Sequence, residues 1–336
     1  MKNLFTLLPL VALLIAGCSN SATTNESTSV TNAPPSGNSG SGDAKLTVAV
    51  IPMGTTHEYW KALEAGARKA GEELGVEIKW KGPLKEDDRA GQIGIVQGFT
   101  ADRVSGIVLA PLDADALKRP VSEAMAKKIP VVVVDSPLTG DAGSDYTALI
   151  ATNNRLGGEM GGERLAKLLG EKGKVVMLRN AEGSASTAAR EQGFLDAMKK
   201  HPGIEVISEN QRGGRTQSDA QTKAMQMVDV LRQANGVFCS NESTSAGMLQ
   251  ALNQNGLAGK VKFVAFDSSP ALVEGLKMGK IDALVVQDPY RMGYEGVKAV
   301  VTKIKGGTVP ANTDTGVTLV DGANRETVEV KKLIGG

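Results

Sequence analysis

The chain has 336 residues, with 38 lysines and arginines against 37 aspartates and glutamates, a net charge of +1. A balanced chain with no basic stripe to neutralise phosphates excludes nucleic acid as a partner. Its histidines, His57 and His201, lie far apart, and no Cys/His group has metal-ligand spacing, so neither a metal nor another cofactor is expected. His57-Glu58 opens like a zincin helix, but Lys61 stands where the second histidine is needed.

Met1-Lys2-Asn3, an apolar run from Leu4 to Ala16, and small residues after it describe a secretory signal over residues 1–17. At about a dozen apolar residues, the run is too short for the ~20 that a spanning helix needs. Leu14-Ile15-Ala16-Gly17-Cys18 resembles a bacterial lipobox, which implies cleavage before Cys18, lipidation of its sulfur and a hold on a membrane face. Residues 18–44 are built mostly from Ser, Thr, Asn, Gly, Pro and Ala. Such a segment buries too little surface to offset ordering entropy, so a flexible tether reaching about 25–30 Å is expected. Beyond Cys18 only Cys239 remains, and no intramolecular disulfide is possible.

From Lys45 onward, apolar runs alternate with helical patterns. The spacing predicts strands over 46–51, 76–80, 106–109, 131–134 and 148–151, separated by helices over 59–74, 88–101 and 115–127. The second half repeats the theme, with strands over 174–178, 205–208, 236–239, 262–266, 283–286 and 316–320. Helices fit 156–169, 186–200, 217–232, 243–255, 270–278 and 291–305. Strands joined by crossover helices imply α/β architecture, with parallel sheets covered on both faces. So many units fit two doubly wound lobes better than one continuous sheet.

In such sheets ligands bind outside the carboxyl ends of the strands. The residues that follow the apolar runs are polar or aromatic: His57, Tyr59 and Trp60; Asp135 and Ser136; Ser240, Asn241 and Glu242; Asp267; and Gln287. The alternative for each Ser, Asn or Asp is a helix N-cap. Their recurrence at equivalent sheet ends, beside an aromatic pair, suits a polyhydroxylated ligand. Hydroxyls need paired donors and acceptors, and the C–H face of a sugar ring packs on aromatic rings.

Five segments then carry a resemblance in their order and spacing: Ala151–Gly158, Ala188–Phe194, Val237–Glu242, Val264–Asp267 and Val285–Pro289. Together they make the folded chain look like the type I periplasmic sugar-binding proteins, the ribose-binding group that serves ATP-driven (ABC) importers. The resemblance implies two doubly wound lobes joined by a three-strand hinge. It assigns 45–150 with 288–318 to the amino-terminal lobe and 151–287 with 319–336 to the carboxy-terminal lobe. It implies stacking by Tyr59 and Trp60 and a polar contact from His57. Asp135 and Asp267 would accept from sugar hydroxyls, Arg190 would donate, and Asn241 and Gln287 would complete the set; Glu191, one residue along from Arg190, is separately expected to face away. Its partners would be a sugar or polyol and a transporter permease, and a monomer is expected. Two departures, Ser136 in place of an arginine and Gly213–Thr216 in place of a further aromatic, set ribose itself in doubt.

An enzyme is not expected, because the chain lacks a phosphate-binding loop and a Gly-x-Ser-x-Gly elbow. A repressor on the same fold would need a basic helix-turn-helix where the tether stands. A ligand-presenting sensor component, or a binder of a nucleoside or signalling furanose, is the alternative function. Cys239 and Met225, Met227, Met248 and Met292 read as packing.

Overall fold

Strands buried on both faces appear as unbroken apolar runs, and here each run feeds a helix that returns across the sheet. A computed structural model describes residues 45–335. The predicted signal, Cys18 and the tether lie outside the described residues. The first stretch contains β1 (Thr47–Ile51), α1 (Glu58–Leu74), β2 (Glu77–Trp80), α2 (Arg89–Ala101), β3 (Gly106–Leu109), α3 (Lys118–Ala126), β4 (Val131–Val134) and β5 (Ala148–Ala151). After it come α4 (Asn154–Leu168), β6 (Gly173–Arg179), α5 (Ala185–Lys199), β7 (Ile204–Arg212), α6 (Gln217–Gln226), α7 (Val228–Leu231), β8 (Gly236–Cys239), α8 (Glu242–Gln254), β9 (Lys262–Phe266), α9 (Pro270–Lys277) and β10 (Ala283–Val286). The chain ends with α10 (Pro289–Ile304), β11 (Asn312–Asp314), β12 (Thr318–Asp321) and α11 (Val328–Leu333).

These strands form two six-stranded sheets, ordered β11-β5-β4-β3-β1-β2 and β12-β10-β9-β8-β6-β7. Every pairing is parallel except β10 with β12. The chain therefore passes from one sheet to the other three times: between β5 and β6, between β10 and β11, and between β11 and β12. Each sheet carries one apolar cluster on each face. In β1, Val48 and Val50 face α1 and α10, while Ala49 and Ile51 face α2 and α3. That alternation is the period-two geometry of a strand.

Two helix pairs approach so closely that only glycine fits. A Cβ at Gly158 of α4 would lie 1.9 Å from the Arg190 carbonyl oxygen in α5. A Cβ at Gly293 of α10 would lie 2.0 Å from the Leu63 carbonyl oxygen in α1. The Gly157–Gly162 run is thus a packing surface, and it fixes the backbone that carries Arg190.

The structure departs from the predicted elements in a few places. The helix expected over 217–232 breaks at Met227 into α6 and α7. The helix expected from 115 begins at Lys118, because the Asp113 carboxylate accepts from the Asp115 and Ala116 N–H groups in a preceding turn. Strand β7 runs four residues past its predicted end and pairs irregularly with β6. Met225 is half-exposed rather than packed, whereas Met227, Met248 and Met292 are buried.

Candidate functional site

The carboxyl ends of the two sheets face one another across a cleft. His57, Tyr59, Trp60, Asp135, Arg190, Asn241, Asp267 and Gln287 all line one cavity there, with about 350 Å³ of atom-free space.

Asp135 and Asp267 directly follow β4 and β9, and both adopt left-handed backbone, with φ of 67° and 71°. Non-glycine residues seldom take this conformation, and aspartate tolerates it better than most. The turn aims each carboxylate into the cleft instead of along its strand. The Tyr59 hydroxyl donates to Asp135 Oδ1 at 2.6 Å. Asp267 accepts from Gln287 Nε2 and from the Glu242 backbone N–H, both at 2.8 Å. It is therefore not a helix cap; Ser269 holds the N-cap position of α9. Asn241, by contrast, does cap α8, in a reciprocal capping box with Thr244, and also lines the cavity.

Arg190 is 2% exposed, so it is no surface ion-pair residue. Its Nε donates to Asn154 Oδ1 at 2.7 Å and its Nη1 to the Ser240 carbonyl at 3.1 Å. The guanidinium lies 4.1 Å over the Phe266 ring. Burial pushes Asp135 up to about 6, with the Arg190 charge and the Tyr59 hydrogen bond opposing it. Burial also raises Asp267, again against Arg190.

Tyr59 and Trp60 meet edge to face with centroids 4.8 Å apart. The Trp60 indole donates to Glu86 Oε1 at 2.7 Å, and His57 Nδ1 lies 2.8 Å from the same oxygen. Burial disfavours a charged His57, but the hydrogen bond and charge of Glu86, helped by Glu242 and Asp267, raise it to about 9. Burial likewise disfavours an ionised Glu86, yet His57, Trp60 and Arg215 hold it below the ordinary carboxylate range.

Several lining residues lay outside the sequence reading. Glu86 sits in a Lys-Glu-Asp-Asp run that looks solvated. Ser184, Ser186 and Thr187 open α5. Asn180 directly follows β6, where the same search of strand ends would have found it. Glu191 is a correction: it does not face away but is 2% exposed, accepting from the Asn180 N–H, Ser240 Oγ and Arg179. The departures at Ser136 and Gly213–Thr216 also acquire a place. Ser136 Oγ accepts from the Ser186 N–H, and Arg215 is buried with Glu86 and Asp113 among the charges that act on it.

Glu242 spans the cleft. Its side chain accepts from the Tyr59 N–H at 3.2 Å, at the amino-terminal end of α1, while its own N–H donates to Asp267. A carboxylate suits the positive end of a helix dipole. Burial nevertheless raises Glu242 to about 7; the His57 charge and the α1 N–H groups pull it down, and Asp267 pushes it further up. A carboxyl raised on folding from 4.5 to about 7 stabilises the fold below the unfolded value and loses that contribution as pH rises through about 7. Glu242→Gln is therefore expected to shrink the stability difference between pH 5 and pH 8 in the ligand-free protein by about 2 kcal/mol. Denaturant unfolding at the two pH values measures it, and an unchanged difference would mean that Glu242 titrates normally.

Two lobes of parallel sheet with a polar cavity between their carboxyl ends define a two-lobed solute-binding protein. Residues 48–308 match the family model of the periplasmic binding protein domain, and the chain belongs to that family. It is 29% identical over 281 residues to the ribose import binding protein of Salmonella typhimurium, covering 82% of this chain and 91% of the relative. A carbohydrate transporter solute-binding protein from Agrobacterium radiobacter, in complex with D-arabinose, superposes with a TM-score of 0.82 at 36% identity, covering 87% of this chain and 99% of that one. A solute-binding protein from Agrobacterium vitis bound to α-D-tagatopyranose gives a TM-score of 0.81 at 30% identity, with 86% and 99% covered. Among the described residues, no helix is long and apolar enough to cross a membrane.

Proposed function

We propose that this protein is the sugar-binding component of an ATP-driven importer, capturing a monosaccharide or polyol between its lobes. The observation that carries the reading is the pair of buried carboxylates, Asp135 and Asp267, turned into one cavity by left-handed backbone and held beside Arg190. Neutral polyols are rich in donors, and this cavity is rich in acceptors. The relatives bind sugars for transport, which favours binding over catalysis and import over a sensor role.

The lobes, 45–150 with 288–318 and 151–287 with 319–336, would move about the three crossings. Ligand favours the closed arrangement because only there do both lobes touch it. A thermal-shift screen of pentoses, hexoses and polyols tests the function. A cognate sugar at a hundred times its Kd is expected to add about 2.7 kcal/mol to stability. The same sugar should reduce the radius of gyration in X-ray scattering. If no sugar or polyol shifts the melting temperature, the sugar reading fails.

The exported chain would be anchored through Cys18 after removal of residues 1–17, with 18–44 as the tether, and would deliver its sugar as a monomer to a permease. The support is the lipobox-like Leu14–Cys18. Cys18→Ala is expected to abolish lipidation and remove the protein from the membrane fraction. Mass spectrometry showing an unmodified Cys18 in wild type would refute the anchor.

A further inference from the structure

Among the described residues, Gln287 Oε1 and Asn180 Oδ1 are buried without a hydrogen-bond partner, and both residues line the cavity. Both residues are 2% exposed. A buried acceptor without a donor is uncommon in folded proteins and calls for an explanation. For Gln287 the ligand role proposed above supplies one. Asn180 has no such role, yet it stands in the equivalent place, at the carboxyl end of a strand in the same sheet.

Its position is fixed rather than loose. The Asn180 N–H donates to Glu191 Oε1 at 2.9 Å, and its carbonyl accepts from Arg212 Nη1 at 3.3 Å. The backbone is thus clamped on both sides while the side-chain oxygen stays unpaired at the cavity wall. Strands β10 and β6, which carry Gln287 and Asn180, are separated by β9 and β8. Neighbouring strands lie about 4.8 Å apart, so the two strand ends are roughly 14 Å apart. A ring seated in the cavity beyond β9 and β8, with hydroxyls on opposite sides, has one of these residues on each side. An apolar ligand, or one with donors at one end only, leaves an acceptor stranded.

We infer that Asn180 is a specificity-determining residue of the binding site, its side-chain oxygen accepting from a sugar hydroxyl on the opposite side of the ring from the one that Gln287 receives. The inference rests on the sugar-binding reading and deepens it, since the ligand must carry hydroxyl donors at both ends. It also separates a binding role from a structural one. With no protein partner for that oxygen, removing the side chain leaves nothing in the ligand-free fold unpaired.

Calorimetric titration of wild type and Asn180→Ala with D-arabinose, D-ribose, D-tagatose and every sugar or polyol that raises the melting temperature, then with the monodeoxy analogues of the tightest, tests this. Asn180→Ala is expected to weaken that sugar at least tenfold without lowering the ligand-free melting temperature. One deoxy analogue should bind wild type and variant equally, because it already lacks the hydroxyl that Asn180 receives. Asn180→Asp, which keeps an acceptor, should lose less than Asn180→Ala. If Asn180→Ala binds like wild type, or weakens every deoxy analogue by the same factor as the parent sugar, the oxygen is satisfied by water or by nothing and the inference fails alone. If wild type binds none of these and no sugar or polyol of the thermal-shift screen, the sugar reading and this inference fail together.

Discussion

Arg190→Ala and Asp267→Asn are each expected to weaken sugar binding at least tenfold, and Arg190→Ala by about a hundredfold. Arg190 is the cation set among the buried carboxylates, and its charge opposes the upward push of burial on both Asp135 and Asp267. Its removal leaves those groups less ionised and poorer acceptors for hydroxyls. It also strips the partner from Asn154 Oδ1 and exposes the Phe266 ring to the cavity. Hydrogen bonds to charged groups contribute about 1.5–3 kcal/mol, or roughly ten- to a hundredfold in affinity. For Asp267 the asparagine variant is the informative one. At φ 71° alanine would add backbone strain, whereas asparagine tolerates the left-handed turn. Only the charge and one acceptor are then lost, and with them one of the two pairings, to Gln287 or to the Glu242 N–H. Calorimetric titration, at a temperature where circular dichroism shows each variant folded, reads the result. Wild-type affinity in both variants would remove them from the site.

Most of the fold was legible because parallel strands buried on both faces leave an unmistakable trace. Val131–Val134 and Gly236–Cys239 are uninterrupted apolar runs, and they coincide with β4 and β8. β11 left no such trace. Its sequence Asn312-Thr313-Asp314 is polar and lies at a sheet edge, so nothing in it alternates or clusters. α11 spans only six residues and offers too few turns for a helical period.

For the site, the rule that ligands sit at strand carboxyl ends picked out residues that the structure gathers round one cavity. What the rule does not reach is a residue whose meaning depends on distant chain. Glu86 looks like part of a charged surface loop until His57 and Trp60 are folded onto it. Glu242 looks like the first turn of a helix until its carboxylate is found at the start of α1. Arg215 is likewise a loop arginine in sequence and a buried one in the fold.

Glu191 shows why one residue of helix phase is hard to read, and it carries the second large effect. In α5 one face is buried, and half of its residues are polar: Ser186, Thr187, Arg190 and Glu191 beside Gly193, Phe194, Ala197 and Met198. A buried face that is half polar gives no apolar stripe from which to judge which neighbour of Arg190 faces out. The fold puts Glu191 under the end of β6. There Oε1 accepts from the Asn180 N–H at 2.9 Å and from Ser240 Oγ at 3.1 Å, while Oε2 meets Arg179 Nη1 at 3.1 Å. Breaking a buried ion pair by deleting one partner typically costs about 3–5 kcal/mol, because the survivor stays buried without compensation. Arg179 is one-fifth exposed and recovers some hydration, so the low end, about 3 kcal/mol, is expected for Glu191→Ala. Glu191→Gln keeps a carbonyl acceptor but exchanges the second oxygen for a donor facing another donor, and should fall between. Urea unfolding of the ligand-free protein measures both, at a pH where Glu191 is ionised. A residue that faces solvent would change stability by no more than about 0.5 kcal/mol, and that result would return Glu191 to the surface. The same deletion also frees the Asn180 backbone, so Glu191→Ala is expected to weaken sugar binding through a residue that never touches the sugar.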